Sequence, residues 1–238
     1  EVLDIYHLGK FAKVSSEKLG RMKPVEGYLD FYLDGLARFL DIRAIKKARL
    51  KVVIDACNGA GAKTIDRFCA KMNVELIAVN NEPNGYFPHD PEPRPRNAQQ
   101  VSSVIKAIGA DVGFVLNSDV SRLSLVAEDG ETLSEEYTFP LAASYYLKKN
   151  YGTVITSHST SRMIEDVARK NKCSLLKTKV GQSYLVQSLI EEDAVMAGEG
   201  SGGVAVARFQ PAFDGFLTMG LILEIMAKSG KKISRLIK

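Results

Sequence analysis

Short apolar runs alternate with longer amphipathic stretches along this chain, and that order restricts it to folds in which strands and helices follow one another. Residues 50–54 form a β-branched run, the stretch that ends near residue 72 has helical spacing, and residues 74–79 are again strand-like. A strand, a helix and a second strand in this order place two parallel strands side by side under a crossing helix. The predicted fold class is therefore α/β.

The second half of the chain repeats the pattern of the first. Residues 62–68 can be placed over residues 161–167 without a gap, and residues 76–77 then fall on residues 175–176. This offset predicts two similar three-layer α/β/α domains with mixed, mostly parallel sheets. Any two β-α-β units share much of this pattern, so chance similarity is the alternative to duplication.

The predicted domain organisation has three parts. Residues 1–24 show no sustained period and form a lead-in segment, residues 25–132 form one domain, and residues 133–238 form the other. Residues 25–40 open the first domain with apolar side chains at the three- and four-residue spacing of an amphipathic helix. The chain starts without a methionine and in mid-pattern, which favours a fragment of a longer protein.

Composition excludes several classes of protein. With 238 residues, 45% of them hydrophobic, the chain can bury a sizeable core, and its length suits either one large domain or two of ordinary size. Its 32 basic and 28 acidic residues are spread along the chain, so nucleic-acid binding is not indicated. No apolar run approaches the ~20 residues that a membrane helix needs, and we expect a cytoplasmic protein with no membrane partner.

The three cysteines predict neither a disulfide framework nor a zinc site. Cys57, Cys69 and Cys173 are odd in number and lack CxxC spacing. We interpret them as small hydrophobic residues of the core.

Residues 80–95 predict a long irregular loop. Five prolines within it fix φ and remove backbone donors, so that neither a helix nor a central strand can run through it; they are Pro83, Pro88, Pro91, Pro93 and Pro95. A loop of this length in a compact domain is usually functional or crosses between domains.

Three segments after predicted strands could carry a ligand. The glycine turn 58–61 is either a phosphate cradle at a helix N-terminus or a tight turn that needs positive φ. The segment 117–122 is either a polar turn or a metal site with the oxygens of Asn117, Asp119 and Ser121. The glycine-rich segment 198–203 is either a flexible hairpin or a sugar-binding loop.

In the third of these segments, Glu199 and Ser201 are the side chains that could recognise a sugar. A carboxylate accepts hydrogen bonds from vicinal hydroxyls, and a serine hydroxyl can donate or accept. Taken alone, the segment leaves both interpretations open.

Taken in order, the segments resemble the α-D-phosphohexomutase family of phosphomannomutases and phosphoglucomutases, and its archaeal branch in particular. The resemblance covers about residues 25–238, and its ordered combination is more specific than any single motif. The segments that resemble family motifs are 52–61, 84–88, 91–93, 117–122, 178–181, 199–202 and 214–215.

The resemblance implies Mg²⁺ as the family's cofactor and places its loop at residues 117–122. The family holds the cation through three aspartates, but this sequence has Asn117 and Ser121 at the first and third positions and keeps only Asp119. Loss of two carboxylates should weaken the binding of a hard cation severely. Arg122 follows, as in the family, and would face the phosphate on the metal side.

The resemblance also implies a hexose phosphate as the substrate. Glu199 and Ser201 would contact sugar hydroxyls, and Arg162 would replace a family lysine that touches the substrate. Gln182 stands where many relatives have a histidine or another polar group. His158 is a substitute acid or base only by proximity, so Arg122 and His158 are the candidate catalytic residues.

Two parts of the family's machinery have no counterpart in these residues: the Ser-His nucleophile loop and the phosphate-binding loop of the fourth domain. We therefore expect no interconversion of hexose 1- and 6-phosphates by this chain alone, the other domains being removed or supplied in trans. The alternatives are a non-catalytic module that binds a phosphosugar or a partner protein, and a structural α/β module whose glycine loops are only turns.

Overall fold

The computed structural model describes residues 2–238, which contain two four-stranded sheets of the same strand order. The first sheet has the order β2-β1-β3-β4 and consists of β1 (Lys51–Asp55), β2 (Glu75–Val79), β3 (Val112–Leu116) and β4 (Leu123–Val126). The second has the order β6-β5-β7-β8 and consists of β5 (Thr153–Ser157), β6 (Ser174–Thr178), β7 (Met196–Gly198) and β8 (Val204–Val206). In each sheet only the last strand is antiparallel to its neighbour.

Helices cover both faces of each sheet. The helices of the described chain, including the exposed α1 that packs on neither sheet, are α1 (Val2–His7), α2 (Tyr28–Phe39), α3 (Ile42–Ala48), α4 (Ile65–Met72), α5 (Gln99–Ile108), α6 (Thr138–Tyr146), α7 (Met163–Lys170), α8 (Gln182–Glu191), α9 (Gly215–Ser229) and α10 (Ile233–Leu236). Helix α5 packs on one face of the first sheet, and α8 packs on the matching face of the second. This arrangement confirms the predicted fold class.

Successive side chains of a strand point to opposite faces of the sheet, so the strands of the first sheet contribute to two separate parts of the core. Val53 and Val115 point to α5, whereas Ile54 and Phe114, their neighbours in sequence, point to the opposite face of the same sheet. The central strands β1 and β3 are buried on both faces, which is why residues 52–54 and 112–116 are apolar instead of alternating with polar residues.

The remaining faces of the two sheets share one continuous core. Phe68, Phe114 and Phe139 are fully buried there, and the rings of Phe68 and Phe216 lie 5.2 Å apart. Helix α9 contributes an almost unbroken buried run from Gly215 to Met226, as expected for a helix that is apolar on all sides. The two sheets are therefore held together by packing as well as by the chain connection.

The sequence pattern found most elements and missed a few. All the strands predicted from apolar runs are present within two residues of their expected ends, and residues 80–94 are irregular as predicted. Helix α3, helix α8 and strand β8 were not predicted. The three cysteines are free, and Cys57 and Cys69 are buried in the core as expected.

The lead-in segment contrasts with the rest of the chain. From Val2 to Tyr28 every residue is exposed, although the segment contains the helix α1 and a short 3₁₀ turn at Ser16–Lys18. Several large apolar side chains lie on its surface: Val2, Leu3, Tyr6, Leu8, Phe11, Val14, Leu19, Met22 and Val25. Within residues 2–238, no helix combines the length and apolar character needed to cross a bilayer.

Candidate functional site

The glycine turn after β1 is packed against the segment after β3. The amide of Ala60 donates to the carbonyl oxygen of Ser118 at 2.8 Å, and a Cβ on Gly59 would lie 2.4 Å from that oxygen. Gly59 itself has φ of −94°, and the positive φ values belong to Cys57 and Asn58. The turn thus has the positive φ that the tight-turn interpretation requires, at Asn58, whereas Gly59 permits the close approach of two backbones.

The β3–β4 loop (residues 117–122) turns its polar side chains on one another. Asp119 Oδ1 accepts from Asn117 Nδ2 at 2.8 Å, from the Ser121 amide at 2.9 Å and from Ser121 Oγ at 2.6 Å. Asn117 Oδ1 accepts from the amide of Arg122 at 3.0 Å, which fixes the amide group with its NH₂ toward Asp119. The three predicted metal-loop residues are therefore brought together, in a hydrogen-bond network centred on Asp119 Oδ1.

This network does not fit a hard dication. Burial opposes ionisation of Asp119, yet the hydrogen bonds from Ser121 and Asn117 together hold its pKa below the usual value. The carboxylate is charged, but two of its neighbours present N–H and O–H donors where Mg²⁺ needs oxygen lone pairs. No cluster of three His, Cys, Asp or Glu side chains suited to a metal occurs in residues 2–238.

Arg122 is engaged by a carboxylate from the proline-rich loop. Its Nη1 donates to Glu92 Oε2 at 2.7 Å and its Nη2 to Glu92 Oε1 at 2.9 Å, in a bidentate pair whose side chains are less than one-third exposed. Such a pair neutralises the guanidinium and fixes its plane. Sequence reasoning placed Arg122 opposite a phosphate and missed Glu92, which lies between Pro91 and Pro93.

The β3–β4 loop is joined directly to the β7–β8 loop (residues 199–203) of the second sheet. Arg122 and Gly203 form an antiparallel bridge, and the amide of Leu123 donates to the Gly202 carbonyl oxygen at 3.3 Å. Gly202 has φ of 87°, and a Cβ there would lie 2.2 Å from the Leu123 carbonyl oxygen. The predicted metal loop and the predicted sugar loop thus meet at the carboxyl edges of the two sheets.

Within the β7–β8 loop, the two predicted sugar-binding side chains are neighbours. Ser201 Oγ donates to Glu199 Oε1 at 2.6 Å, and both residues are only partly buried. Glu199 Oε2 has no hydrogen bond among residues 2–238, so this oxygen can accept from a ligand. The loop therefore presents a carboxylate and a hydroxyl together at the surface.

Three predicted residues surround the second sheet without contacting this pair. Arg162 is 87% exposed at the start of α7 and lies 3.7 Å from Glu165 through its Nε, and Gln182 is exposed at the start of α8. His158 follows β5 and is exposed, and no side-chain hydrogen bond of it is present in the described part of the chain. The structure gives His158 no partner that would make it an acid or base.

Sequence reasoning missed a buried polar cluster at the end of β1. Asp55 is fully buried, and its Oδ2 lies 3.0 Å from His89 Nε2 and accepts from Asn80 Nδ2 at 2.9 Å. His89 Nδ1 faces the Asp90 carbonyl oxygen at 2.9 Å. The hydrogen bond to Asp55 raises the pKa of His89 above its ordinary value, against the opposing effect of burial. The only signal in the sequence was the position of Asp55 at a strand end.

Comparison with known families matches nearly the whole chain. The family described as phosphoglucomutase/phosphomannomutase, alpha/beta/alpha domain II, matches residues 30–130. The one described as phosphoglucomutase/phosphomannomutase, alpha/beta/alpha domain III, matches residues 123–238. The phosphoglucomutase/phosphomannomutase of Thermococcus kodakarensis is 33% identical over 99% of this chain and 52% of its own length.

Solved structures agree with these matches. A phosphoglucomutase/phosphomannomutase family protein from Burkholderia thailandensis superposes with a TM-score of 0.77 at 29% identity, over 87% of this chain and 45% of that one. Aspergillus fumigatus N-acetylphosphoglucosamine mutase, in complex with GlcNAc-6P and magnesium, shares the fold with a TM-score of 0.65 at 15% identity, over 87% of this chain and 52% of that one. The chain spans about half the length of the relatives that it matches.

Proposed function

The chain belongs to the phosphoglucomutase/phosphomannomutase family, and from that premise we propose that it forms the two central domains of a phosphohexomutase-related protein and binds a hexose phosphate. The observation that carries the proposal is the backbone junction of Arg122 and Leu123 with Gly203 and Gly202. This junction joins the loop in the metal position to the loop in the sugar position. A ligand that touches one loop therefore lies close to the other.

In this proposal the β7–β8 loop recognises the sugar. The free oxygen of Glu199 accepts from a pair of hydroxyls, and Ser201 supplies a further hydroxyl. Arg162, exposed and only weakly paired, is the cation available to a phosphate group. Gln182 borders the same edge of the sheet.

We further propose that the 238-residue chain does not interconvert hexose 1- and 6-phosphates by itself. In the structure Asn117 and Ser121 direct N–H and O–H donors at Asp119, a donor set that does not suit Mg²⁺, and Arg122 is paired with Glu92. The loop then supplies neither a bound cation nor a free guanidinium to stabilise charge on a phosphoryl group. The same network favours the second candidate, a non-catalytic phosphosugar-binding module.

The proposed domain division places the boundary after β4, with domains at 25–132 and 133–238. Strand β4 pairs with β3 and so belongs to the first sheet, although both family matches include it. The lead-in segment 1–24 belongs to neither domain.

A turnover assay with glucose 1-phosphate, with and without Mg²⁺, tests the absence of activity. The purified chain should form no glucose 6-phosphate above a no-enzyme blank. Formation of glucose 6-phosphate at a rate proportional to protein concentration would contradict the proposal. The Arg122→Ala variant must then lack this activity, which excludes a contaminating enzyme.

Calorimetric titration with Mg²⁺ tests the interpretation of the β3–β4 loop. The wild-type chain should give no binding heat, and the double variant Asn117→Asp with Ser121→Asp should bind the cation, because it restores three carboxylates. If neither protein binds Mg²⁺, the loop is not a lost metal site. Binding by wild type as tightly as by the double variant would contradict our argument from the donor set.

Titration with glucose 1-phosphate tests sugar recognition separately. Glu199→Gln should weaken binding about tenfold, because it removes a charge-assisted acceptor but keeps the size of the side chain. Glu191→Gln, on the exposed end of α8, is the control and should bind as the wild type does. Equal affinities of all three proteins would refute the role of Glu199.

A further inference from the structure

A second polar cavity lies at the opposite edge of the second sheet. It has a volume of about 380 Å³ and is lined by Arg38, Lys149, Arg208, Lys228, Tyr146 and Asn150, among others. Asn150 precedes β5, and Arg208 follows β8, which runs antiparallel to its neighbour β7. Both therefore lie at the amino edge of the parallel strands, away from the β7–β8 loop at the carboxyl edge.

The charges around this cavity do not cancel. Two carboxylates line the cavity as well, and Lys228 contacts both, Asp41 at 2.9 Å and Glu224 at 3.1 Å. Arg38, Lys149 and Arg208 have no carboxylate within the 4.0 Å of an ion pair among residues 2–238. Four cations thus face two carboxylates around one cavity, and three of the cations form no ion pair in this part of the chain.

A buried hydroxyl beside the cavity, on the lining residue Tyr146, also lacks a partner. Tyr146 is 7% exposed, and its hydroxyl makes no hydrogen bond within the described residues. Burial raises the pKa of this phenol, and the nearby positive charge of Arg208 opposes the rise, so that the group is a neutral donor at physiological pH. An unpartnered buried hydroxyl is costly, and a bound acceptor would remove that cost.

Asn150 holds one of the cations in place. Arg208 Nη1 donates to Asn150 Oδ1 at 3.3 Å, and Asn150 Nδ2 donates to the Tyr146 carbonyl oxygen at 2.9 Å. The guanidinium of Arg208 is thus positioned beside Tyr146, and its remaining N–H groups can donate to another acceptor. A guanidinium with several available donors matches the geometry of a phosphate group.

We propose that this cavity is a binding site for the phosphate group of a small phosphorylated metabolite, separate from the site at the β3–β4 and β7–β8 loops. Arg208, Lys149 and Arg38 balance the charge of the phosphate, and Tyr146 donates to one of its oxygens. The volume lies within the range of small-molecule sites and is sufficient for a compact ligand. Because α2, α6 and α9 all border the cavity, the ligand would bridge elements packed on both sheets.

The test is a titration of the 238-residue chain with inorganic phosphate at constant ionic strength, followed by amide NMR. Signals from residues 149–152 and 207–209 should shift and saturate, and Arg208→Ala or Lys149→Ala should weaken binding about tenfold each. Lys148→Ala is the matched control, because it removes a neighbouring exposed charge outside the cavity and should leave the affinity unchanged.

Two more variants test the role of the buried hydroxyl and the separation from the sugar site. Tyr146→Phe should weaken phosphate binding, yet leave the unfolding midpoint of the phosphate-free protein unchanged or higher, because it deletes an unsatisfied hydroxyl. Arg162→Ala should leave the shifts at residues 149–152 intact, which distinguishes this cavity from the proposed sugar site. Wild-type affinity in Arg208→Ala and Lys149→Ala, or equal weakening by Lys148→Ala, would overturn the proposal, as would the absence of saturable shifts.

Discussion

The β3–β4 loop and the β7–β8 loop occupy equivalent places in two sheets of the same strand order, but they satisfy their polar groups to different extents. In the first, Asp119 Oδ1 accepts three hydrogen bonds from Asn117 and Ser121. In the second, Glu199 accepts a single hydrogen bond, from Ser201. One scaffold therefore supports a loop whose own donors converge on its carboxylate beside a loop whose carboxylate keeps more capacity to accept from a ligand, and the few side chains at the strand end decide which.

The largest effect should come from breaking the junction that aligns the two loops. Gly202→Ala forces positive φ on a residue with a Cβ and pushes that Cβ against the Leu123 carbonyl oxygen. We expect a loss of about 3 kcal/mol in the free energy of unfolding, measured by urea titration.

A matched control for Gly202→Ala is available at the C-terminus of α5. Gly109 also has positive φ, at 64°, but nothing lies within 4 Å of a Cβ built there. Gly109→Ala should therefore cost only about 1 kcal/mol. Equal losses for both variants would show that the close approach of the two loops contributes nothing.

The next largest effect should come from adding a second negative charge to the β3–β4 loop. Asn117→Asp replaces the NH₂ group 2.8 Å from Asp119 with a second carboxylate at a position that is 2% exposed. In the absence of Mg²⁺ we expect a loss of about 2 kcal/mol at neutral pH, from repulsion and a lost donor.

Asn117→Ala is the control for the added charge, since it removes the donor without a second carboxylate. The difference between the two variants should shrink as the pH falls and the carboxylates protonate. A charged variant as stable as the wild type would mean that the loop rearranges to separate the two carboxylates at no measurable cost.

A smaller effect on stability is expected from the Arg122–Glu92 ion pair, which joins the β3–β4 loop to the proline-rich loop. The double-mutant cycle of Arg122→Ala and Glu92→Ala should give a coupling of about 1 kcal/mol, because the bidentate pair is partly buried. The exposed pair Arg169–Asp166 is the comparison, and its coupling should be near zero. Similar couplings in the two cycles would remove the distinction that we draw for Arg122.

The smallest effect should appear in the pH dependence of stability. Substitution of His89 should change this dependence, and substitution of His158 should not. Asp55 favours the imidazolium of His89, so its pKa in the folded state lies above the ordinary 6.5. The resulting stabilisation is complete below about pH 6.5 and is lost as the pH rises through the raised pKa.

Urea midpoints measured from about pH 5 to 9 across this window should therefore fall more in the wild type than in His89→Gln. His158→Gln is the control on the second sheet, where the exposed side chain makes no hydrogen bond in the described residues, and it should follow the wild-type curve. A His89→Gln curve parallel to the wild-type curve would exclude the Asp55 contact as a source of stability.

Much of the fold could be predicted because periodicity is a local property. Seven of the eight strands and the irregular proline-rich loop follow from nearby residues. Helix α3 was missed because it is only seven residues long and its basic end resembles a solvated turn. Strand β8 was missed because three residues between glycine-rich and polar segments give no period.

The site was predicted less completely, for a physical reason. The sequence placed Asn117, Asp119 and Ser121 in one loop and Glu199 with Ser201 in another, and these groupings are local. It did not predict the ion pair between Glu92 and Arg122 or the hydrogen bond between His89 and Asp55. Such contacts join residues about 30 positions apart, and only the path of the irregular loop between them brings the partners together.

By itself, the sequence determined the α/β class, the order of seven of the eight strands along the chain and which polar side chains the β3–β4 loop carries, because apolar spacing and residue identity are written along the chain. The tertiary structure alone decided which polar groups face one another. It directed the donors of Asn117 and Ser121 to Asp119, paired Arg122 with Glu92 and gathered Arg38, Lys149, Arg208 and Tyr146 around one cavity. Hydrogen bonds and ion pairs act over a few ångströms, so their partners are fixed by packing and not by distance along the sequence.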